Sequence, residues 1–184
     1  MTQLFPRVAP THRGYDTEQV DEFFARARKA YEATDDGAAD IDAHAVRSAA
    51  FDLVRRGYRA SSVDAALDRL EAAFVSAERA EFIADNGQGA WLSGVVERAT
   101  VLYERLTRPA GSRFAPPERG RGYDAAAVDA LLDRLVAYFD DGTPLTAAEV
   151  RAATFGSAPR PRAYAEGPVD AYLDRVVDVL LAVE

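Results

Sequence analysis

The sequence predicts a mainly α-helical fold of tandem helical repeats with short loop or hairpin segments, arranged as two pseudo-equivalent halves of two repeats each. Three observations predict it. A short motif occurs four times with fixed internal spacing, an amphipathic helical stripe follows each copy, and a matched lead-in precedes the second and fourth copies. An internal repeat is considered first, because it determines the architecture of the whole chain.

The repeat motif has an arginine two residues before a tyrosine and a valine–aspartate pair five and six residues after it. Its four copies are Arg13, Tyr15, Val20 and Asp21; Arg56, Tyr58, Val63 and Asp64; Arg121, Tyr123, Val128 and Asp129; and Arg162, Tyr164, Val169 and Asp170. A phenylalanine precedes each tyrosine by seven to ten residues, so the stretch between them is a loop of variable length. We interpret the tyrosine, valine and aspartate as repeat framework.

A helix start signal follows each tyrosine, and apolar residues then recur at helical spacing. We expect helices over 17–33, 62–84, 125–139 and 168–183. The expected N-terminal caps are Asp16, Ser61, Asp124 and the pair Gly167-Pro168. The recurrent aspartate is expected in the first helical turn, where a carboxylate meets unpaired backbone N–H groups and the positive end of the helix dipole.

Glycine precedes the tyrosine in three copies, at Gly14, Gly57 and Gly122, which indicates a turn with positive φ. The fourth copy has Ala163 at this position, so its turn is expected to differ or to be strained.

Two short helices are expected before the second and fourth copies. Asp42 is the expected cap of the first, and Thr146 with Glu149 forms a capping box for the second. The Asp-Asp-Gly joints at 35–37 and 140–142 are expected to end helices at their glycines.

These signals divide the chain into a first repeat pair over 1–84, an inserted linker helix within 85–111 and a second repeat pair over 112–184. The insert begins at the break 85–89 and ends at Pro109 and Gly111. Trp91, at the start of its helix, is expected either at the edge of a core or as an anchor for a partner.

Composition and motifs disfavour several classes of function. The absence of cysteine excludes disulfides, thiolate metal sites and a cysteine nucleophile. There is no phosphate-binding glycine loop and no nucleophile elbow. Asp40, Asp42 and His44 alternate along a helix start and do not converge on one face, which disfavours a metal. We expect no enzyme, no metal and no cofactor, and a cytoplasmic chain without a signal peptide or transmembrane segment.

The net charge of −8 is unevenly distributed, because arginines gather in the loops between each phenylalanine and its tyrosine. The candidate binding residues, here called the loop arginines, are Arg7, Arg13, Arg55, Arg56, Arg119, Arg121, Arg160 and Arg162. Arg113 adds a further positive charge just before Phe114. Two interpretations stay open: these residues bind a partner, or they only solvate loops and pair with neighbouring acids.

The arginines two residues before each tyrosine are expected to divide between holding the turn and contacting a partner. The less regularly placed loop arginines are the better candidates for contact, and they are Arg7, Arg55, Arg119 and Arg160.

Phenylalanine, basic loop, Arg-Gly-Tyr and Val-Asp in this order resemble the N-terminal domain of DivIVA. The lead-in from Leu145 to Phe155 is similar to that domain's opening segment, and the four copies resemble actinobacterial proteins with several DivIVA domains. The resemblance covers the chain outside 85–111. It implies a non-enzymatic scaffold or adaptor in cell division or polar growth, located in the cytoplasm at the septum or cell pole.

The resemblance also implies which partners to expect. Two copies paired within one chain would take the place of the two subunits that pair in the family. This implies a monomer or small homo-oligomer that binds protein partners and no nucleic acid. Family members bind membrane through an aromatic residue beside a basic one in the phenylalanine–tyrosine loop. The four loops here keep the basic residue and contain no aromatic residue, so a membrane surface is a second expected partner resting on arginine alone.

A different class of function stays open. The chain would then be a soluble ligand-binding or sensor domain with a groove between its two halves. An apolar pocket with a few convergent polar groups would favour it.

Overall fold

The computed structural model describes residues 4–32 and 41–184. It is mainly helical, with 64% helix and small sheets. Contacts between Cα atoms divide the chain into two compact units, Met1–Glu81 and Phe82–Glu184, here called the first and second units. The coarse prediction of a mainly helical fold is confirmed.

Within its described residues, 4–32 and 41–81, the first unit contains two short strands and three helices. They are β1 (Arg13–Tyr15), α1 (Thr17–Glu32), α2 (Ala43–Arg47), β2 (Leu53–Arg55) and α3 (Ala60–Asn86), whose last residues belong to the second unit. Strands β1 and β2 pair antiparallel with Gly14 opposite Val54. Tyr15 and Tyr58 exchange backbone hydrogen bonds of 2.9 and 2.8 Å, so the two tyrosines are directly paired across neighbouring backbone segments.

The second unit contains four helices and a three-stranded antiparallel sheet of order β4-β3-β5. Its elements are α4 (Gln88–Leu106), β3 (Arg121–Asp124), α5 (Ala125–Asp141), α6 (Ala147–Arg151), β4 (Ser157–Pro159), a 3-10 turn (Arg160–Arg162), β5 (Ala163–Tyr164) and α7 (Glu166–Val183). Gly122 lies opposite Ala158, and Tyr123 lies opposite Tyr164.

The cores follow the apolar stripes. In the first unit, buried Val20, Tyr58 and Val63 pack with Phe5 and Phe24. The second unit buries its core most fully along α5 and α7, where the side chains of at most 1% exposure are Val128, Leu132, Leu135, Val169, Val176 and Leu180. Burial of each such side chain contributes about 1.5–3 kcal/mol, so the helices are stabilised by packing on one another.

The predicted caps are confirmed at four positions. Asp16 Oδ1 accepts the backbone N–H groups of Glu18 and Gln19 at 2.9 and 3.1 Å, and Asp124 accepts that of Ala127 at 3.1 Å. The two short lead-in helices are capped by Asp42 and by the capping box of Thr146 and Glu149. Gly142 ends α5 with a φ of 68°, as the joint at 140–142 predicts; the joint at 35–37 lies outside the described residues.

Two predicted helix starts are wrong. Helix α3 begins at Ala60, so Ser61 is already helical, and α7 begins at Glu166 with Ala165 as its N-cap. Pro168 is therefore the third helical residue rather than the first. It is tolerated there because the first turn leaves its backbone N–H groups without intrahelical partners.

The predicted positive φ at Gly14, Gly57 and Gly122 is also wrong, since the positive-φ glycines of the described chain lie elsewhere. A Cβ at Gly14 would lie 2.1 Å from the Tyr58 carbonyl oxygen, and one at Gly122 would lie 2.1 Å from that of Tyr164. Glycine is needed here because two backbones approach each other too closely for any side chain.

The turn of the fourth copy does differ, as Ala163 predicts. A 3-10 turn precedes Ala163, which is extended at φ −124°, whereas the first unit turns through Arg56 at φ 60°. The alanine is therefore accommodated without backbone strain.

The segment 85–111 lies within the range of the second unit. Only Gly87, at φ 83°, separates α3 from α4, and α4 belongs to the second unit. Trp91 is buried there, its Nε1 donates a 3.2 Å hydrogen bond to the Ala182 carbonyl, and its ring packs on Phe82. Of its two predicted roles, Trp91 takes the one in the core. Within the described chain, no helix has both the length and the apolar character needed to cross a membrane.

Candidate interaction site

Each motif tyrosine interacts with the motif aspartate of the other copy in its unit. In the first unit the Tyr58 hydroxyl donates to Asp21 Oδ2 at 3.2 Å, and Tyr15 has Asp64 as its carboxylate neighbour. In the second unit the Tyr164 hydroxyl lies 3.0 Å from both Asp129 oxygens, and Tyr123 has Asp170 as its carboxylate neighbour. We call these four contacts the crossed Tyr–Asp pairs.

The crossed pairs correct the role assigned to the aspartate. Each of the four is the fifth residue of its helix rather than a member of the first turn. Asp21 and Asp129 accept a hydrogen bond from the tyrosine hydroxyl of another copy. Burial first, and then the neighbouring carboxylate, raise the pKa of the tyrosine hydroxyls, so the protonated donors persist well into alkaline solution.

One crossed pair is extended by a buried arginine. Arg113 is only 5% exposed, and its backbone N–H donates to the Tyr164 hydroxyl at 3.2 Å. Its guanidinium lies 3.5 Å from Asp129 Oδ1 and 2.6 Å from Asp133 Oδ1. Asp129 also accepts the Gly111 backbone N–H at 2.6 Å. The sequence position of Arg113 suggests a basic loop tip. The structure shows instead that Arg113 is an internal counter-ion.

The arginines two residues before a tyrosine differ in their contacts. Arg13 donates to the Leu53 carbonyl at 3.4 Å, and Arg121 donates to the Ser157 hydroxyl and carbonyl at 2.9 and 2.7 Å. Both therefore bridge to the neighbouring strand and hold the turn. Arg56 and Arg162 are exposed at the turns of the second and fourth copies.

The less regularly placed loop arginines are all exposed. They are Arg7, Arg55, Arg119 and Arg160. Arg7 is held at its backbone by a β-bridge to Tyr58, and Arg55 ends strand β2 opposite Arg13. Ordered backbone therefore carries these charges, while their side chains remain available to a partner.

The second unit brings two loop arginines together at an open cavity of about 940 Å³. Arg160 and Arg162 lie on one side, Phe114 and Tyr164 supply aromatic surface, and the carboxylate of Asp133 also lines the space. The arrangement combines two cations and aromatic surface with three carboxylates. Asp129 and Asp133 contact Arg113, and Asp124 caps α5. The cavity can bind an anionic group against an aromatic surface, and it lacks the nucleophile–base geometry of a hydrolytic site.

Sequence reasoning missed two buried ion pairs. Arg113 with Asp129 is one, at 3.5 Å, and Arg47 with Glu71 is the other, at 2.6 Å and with the Glu71 side chain 2% exposed. The available signals were weak. Arg47 follows the lead-in valine, and Arg113 occupies the position immediately before the motif phenylalanine, where the first copy has Leu4.

Asp40, one of the residues considered as a metal ligand, lies outside the described residues. Among residues 4–32 and 41–184, no cluster of three or more histidine, aspartate or glutamate side chains could hold a metal ion. No protein-family model, curated protein or solved structure matches the chain.

Proposed function

We propose that this protein is a non-enzymatic scaffold or adaptor in cell division or polar growth, which binds protein partners through its loop arginines. We further propose that its two units are pseudo-equivalent and that each consists of two copies of the repeat. The role in division or polar growth rests on the resemblance of the motif to DivIVA.

Matched contacts support the pseudo-equivalence of the units. The crossed Tyr–Asp pairs occur twice in each unit. The strand registers also correspond, because Gly14 opposite Val54 matches Gly122 opposite Ala158. The strand bridge from Arg13 to Leu53 matches the one from Arg121 to Ser157.

The observation that carries the binding role is the exposure of loop arginines on ordered backbone. A structural role would be expected to pair or bury them, as it does for Arg113 and Arg47. Instead Arg55 and Arg56 extend from the turn of one unit, and Arg160 and Arg162 from that of the other. In a chain of net charge −8, such local positive surface favours an acidic partner and speeds its association.

A ligand-binding or sensor function is the second candidate, and the cavity beside Arg160 and Arg162 favours it. Its volume of about 940 Å³ lies within the range that small-molecule sites occupy. A set of anionic aromatic compounds, tested by thermal shift, distinguishes the two functions. Saturable stabilisation that Arg160→Ala with Arg162→Ala removes would favour the sensor.

The scaffold is tested by reversing the charge of the contact arginines. A variant with Arg7, Arg55, Arg119 and Arg160 all changed to Glu should fold, because exposed charges typically alter stability by under about 0.5 kcal/mol each. As a fluorescent fusion in dividing actinobacterial cells, it should lose the septal or polar position that we expect of the parent.

The matched control changes four exposed helical arginines to Glu, namely Arg26, Arg69, Arg98 and Arg175, and so alters the net charge equally. It should localise as the parent does. A diffuse distribution of the parent fusion in dividing cells would refute the proposed role in division. A folded loop variant that localises normally would show that the loop arginines are only solvated.

A further inference from the structure

The first unit contains a cavity of about 480 Å³ beside one crossed Tyr–Asp pair. Its walls are mainly apolar and include Leu4, Phe5, Phe24, Tyr31 and Leu70. The carboxylate of Asp21 lines the same space, and its Oδ1 atom is buried without a hydrogen-bond partner. A buried carboxylate oxygen in apolar surroundings is destabilising unless a donor reaches it.

The second unit shows what such a donor looks like. Leu4 and Arg113 hold the same place in their units, because each immediately precedes the motif phenylalanine and each donates its backbone N–H to a motif tyrosine hydroxyl, at 3.4 and 3.2 Å. In the second unit the Arg113 guanidinium lies beside Asp129, the counterpart of Asp21. In the first unit the corresponding side chain is an apolar leucine that is 53% exposed.

The cavity therefore has the carboxylate partner of a guanidinium, but residue 4 of the chain does not supply the guanidinium. Arginine suits it better than lysine, since a planar guanidinium can donate to a carboxylate and stack on aromatic rings. Phe5 and Phe24 lie with ring centroids 5.2 Å apart in the wall and offer such surface. Arg28 also lines the cavity, but its guanidinium is bound to Glu32 at 2.7 Å.

We propose that this cavity binds an arginine side chain of a partner protein, with the guanidinium on Asp21 and the aliphatic stem against Phe5, Phe24 and Leu70. Tyr31, which is 51% exposed, and Leu4 form the rim and would contact apolar residues that flank the arginine. The inference rests on the proposed function in that the partner is a protein, and it names one chemical feature of that partner.

The test uses the full chain and two small probes, N-acetyl-arginine amide and N-acetyl-citrulline amide, which share their shape and differ in charge. Backbone amide NMR shifts should move saturably with the arginine probe at Asp21, Phe24 and Leu70. The citrulline probe should bind at least about tenfold more weakly, because it lacks the charge that Asp21 recognises. Equal binding of both probes, or shifts spread evenly over exposed acidic residues, would overturn the proposal.

Two variants and one control make the test specific. Leu4→Arg supplies the missing guanidinium from within the chain and should abolish binding of the arginine probe. Leu53→Arg adds the same side chain at a similarly exposed leucine outside the cavity and should leave binding unchanged. Asp21→Asn should also lose binding, while its amide oxygen can still accept from Tyr58 and hold the crossed pair. Undiminished binding by Leu4→Arg would refute the site.

The probe experiment needs no cell, and the localisation experiment needs no probe. Failure of the arginine site therefore leaves the scaffold proposal intact, and a diffuse cellular distribution leaves the binding result standing.

Discussion

The buried hydroxyl of Tyr164 should contribute far more to stability than an exposed tyrosine hydroxyl with a similar partner. It donates to Asp129 at 3.0 Å and accepts the Arg113 backbone N–H at 3.2 Å. Tyr164→Phe removes a hydrogen bond to a charged group, worth about 1.5–3 kcal/mol, and leaves a buried N–H unpaired. Asp129 keeps its contacts with Arg113 and Gly111, which limits the loss to roughly 3 kcal/mol in total.

Trp91 is the only tryptophan and is buried in the second unit, so its fluorescence reports unfolding around Tyr164. In urea, the transition midpoint of Tyr164→Phe should fall by roughly 1–3 M. Tyr103→Phe is the matched control, because the Tyr103 hydroxyl also donates to a carboxylate, that of Asp140 at 2.8 Å, but in solvent. Equal midpoints for the two variants would show that burial of the crossed pair adds nothing.

Three further predictions concern the backbone crossing, a buried ion pair and alkaline pH. Gly122→Ala should lower stability by about 3 kcal/mol or more, since its Cβ would meet backbone atoms. Gly94→Ala, at a helical site with nothing within 4 Å of the new Cβ, should instead raise stability by about 0.5–1 kcal/mol, and urea titration compares the two variants. Arg47→Met should cost about 3 kcal/mol by leaving the Glu71 carboxylate buried without its guanidinium, and hydrogen exchange in α2 and α3 measures this. Burial raises the pKa of Tyr172 to about 12. Its protonated hydroxyl should therefore contribute about 2–3 kcal/mol to the stability of the fold below pH 10, and this contribution should be lost as pH rises through 12. Tyr172→Phe should flatten that part of the curve of stability against pH.

The helices and their caps could be predicted because their signals are local. Asp16, Asp42 and Thr146 each accept a backbone N–H only two or three residues away, so sequence spacing contains the whole interaction. The starts of α3 and α7 were predicted wrongly because each helix follows a segment that pairs with a distant strand. There the chain direction is set by pairing with a distant strand rather than by the cap residue.

The reasons for the recurrent tyrosine, aspartate and glycine could not be predicted, because the decisive contacts are distant in sequence. Tyr58 reaches Asp21 across 37 positions, and Tyr164 reaches Asp129 across 35. The fourfold recurrence indicated that these residues mattered together, but it did not say that each tyrosine meets the aspartate of another copy. Gly14 likewise depends on the Tyr58 carbonyl, which no local turn signal reveals.

The candidate site was predicted in composition but not in arrangement. The sequence placed the loop arginines between phenylalanine and tyrosine, and their exposure is a property of the fold. Arg13 and Arg121 are held against a neighbouring strand, while Arg160 and Arg162 reach a shared cavity. Sequence position groups Arg113 with these charges, because it cannot show that Asp129 and Asp133 contact its guanidinium.

Joining both members of every crossed Tyr–Asp pair in one polypeptide has a consequence for assembly and for divergence. Dilution cannot separate Tyr58 from Asp21, because the connecting chain keeps their effective concentration high at any protein concentration. Two identical subunits would also have to change both of their pairs with every substitution. A single chain can alter one pair alone, and the two pairs of the second unit differ, since Arg113 lies beside Asp129 while Asp170 is exposed. Covalent linkage thus lets one pair specialise while the other continues to hold the fold.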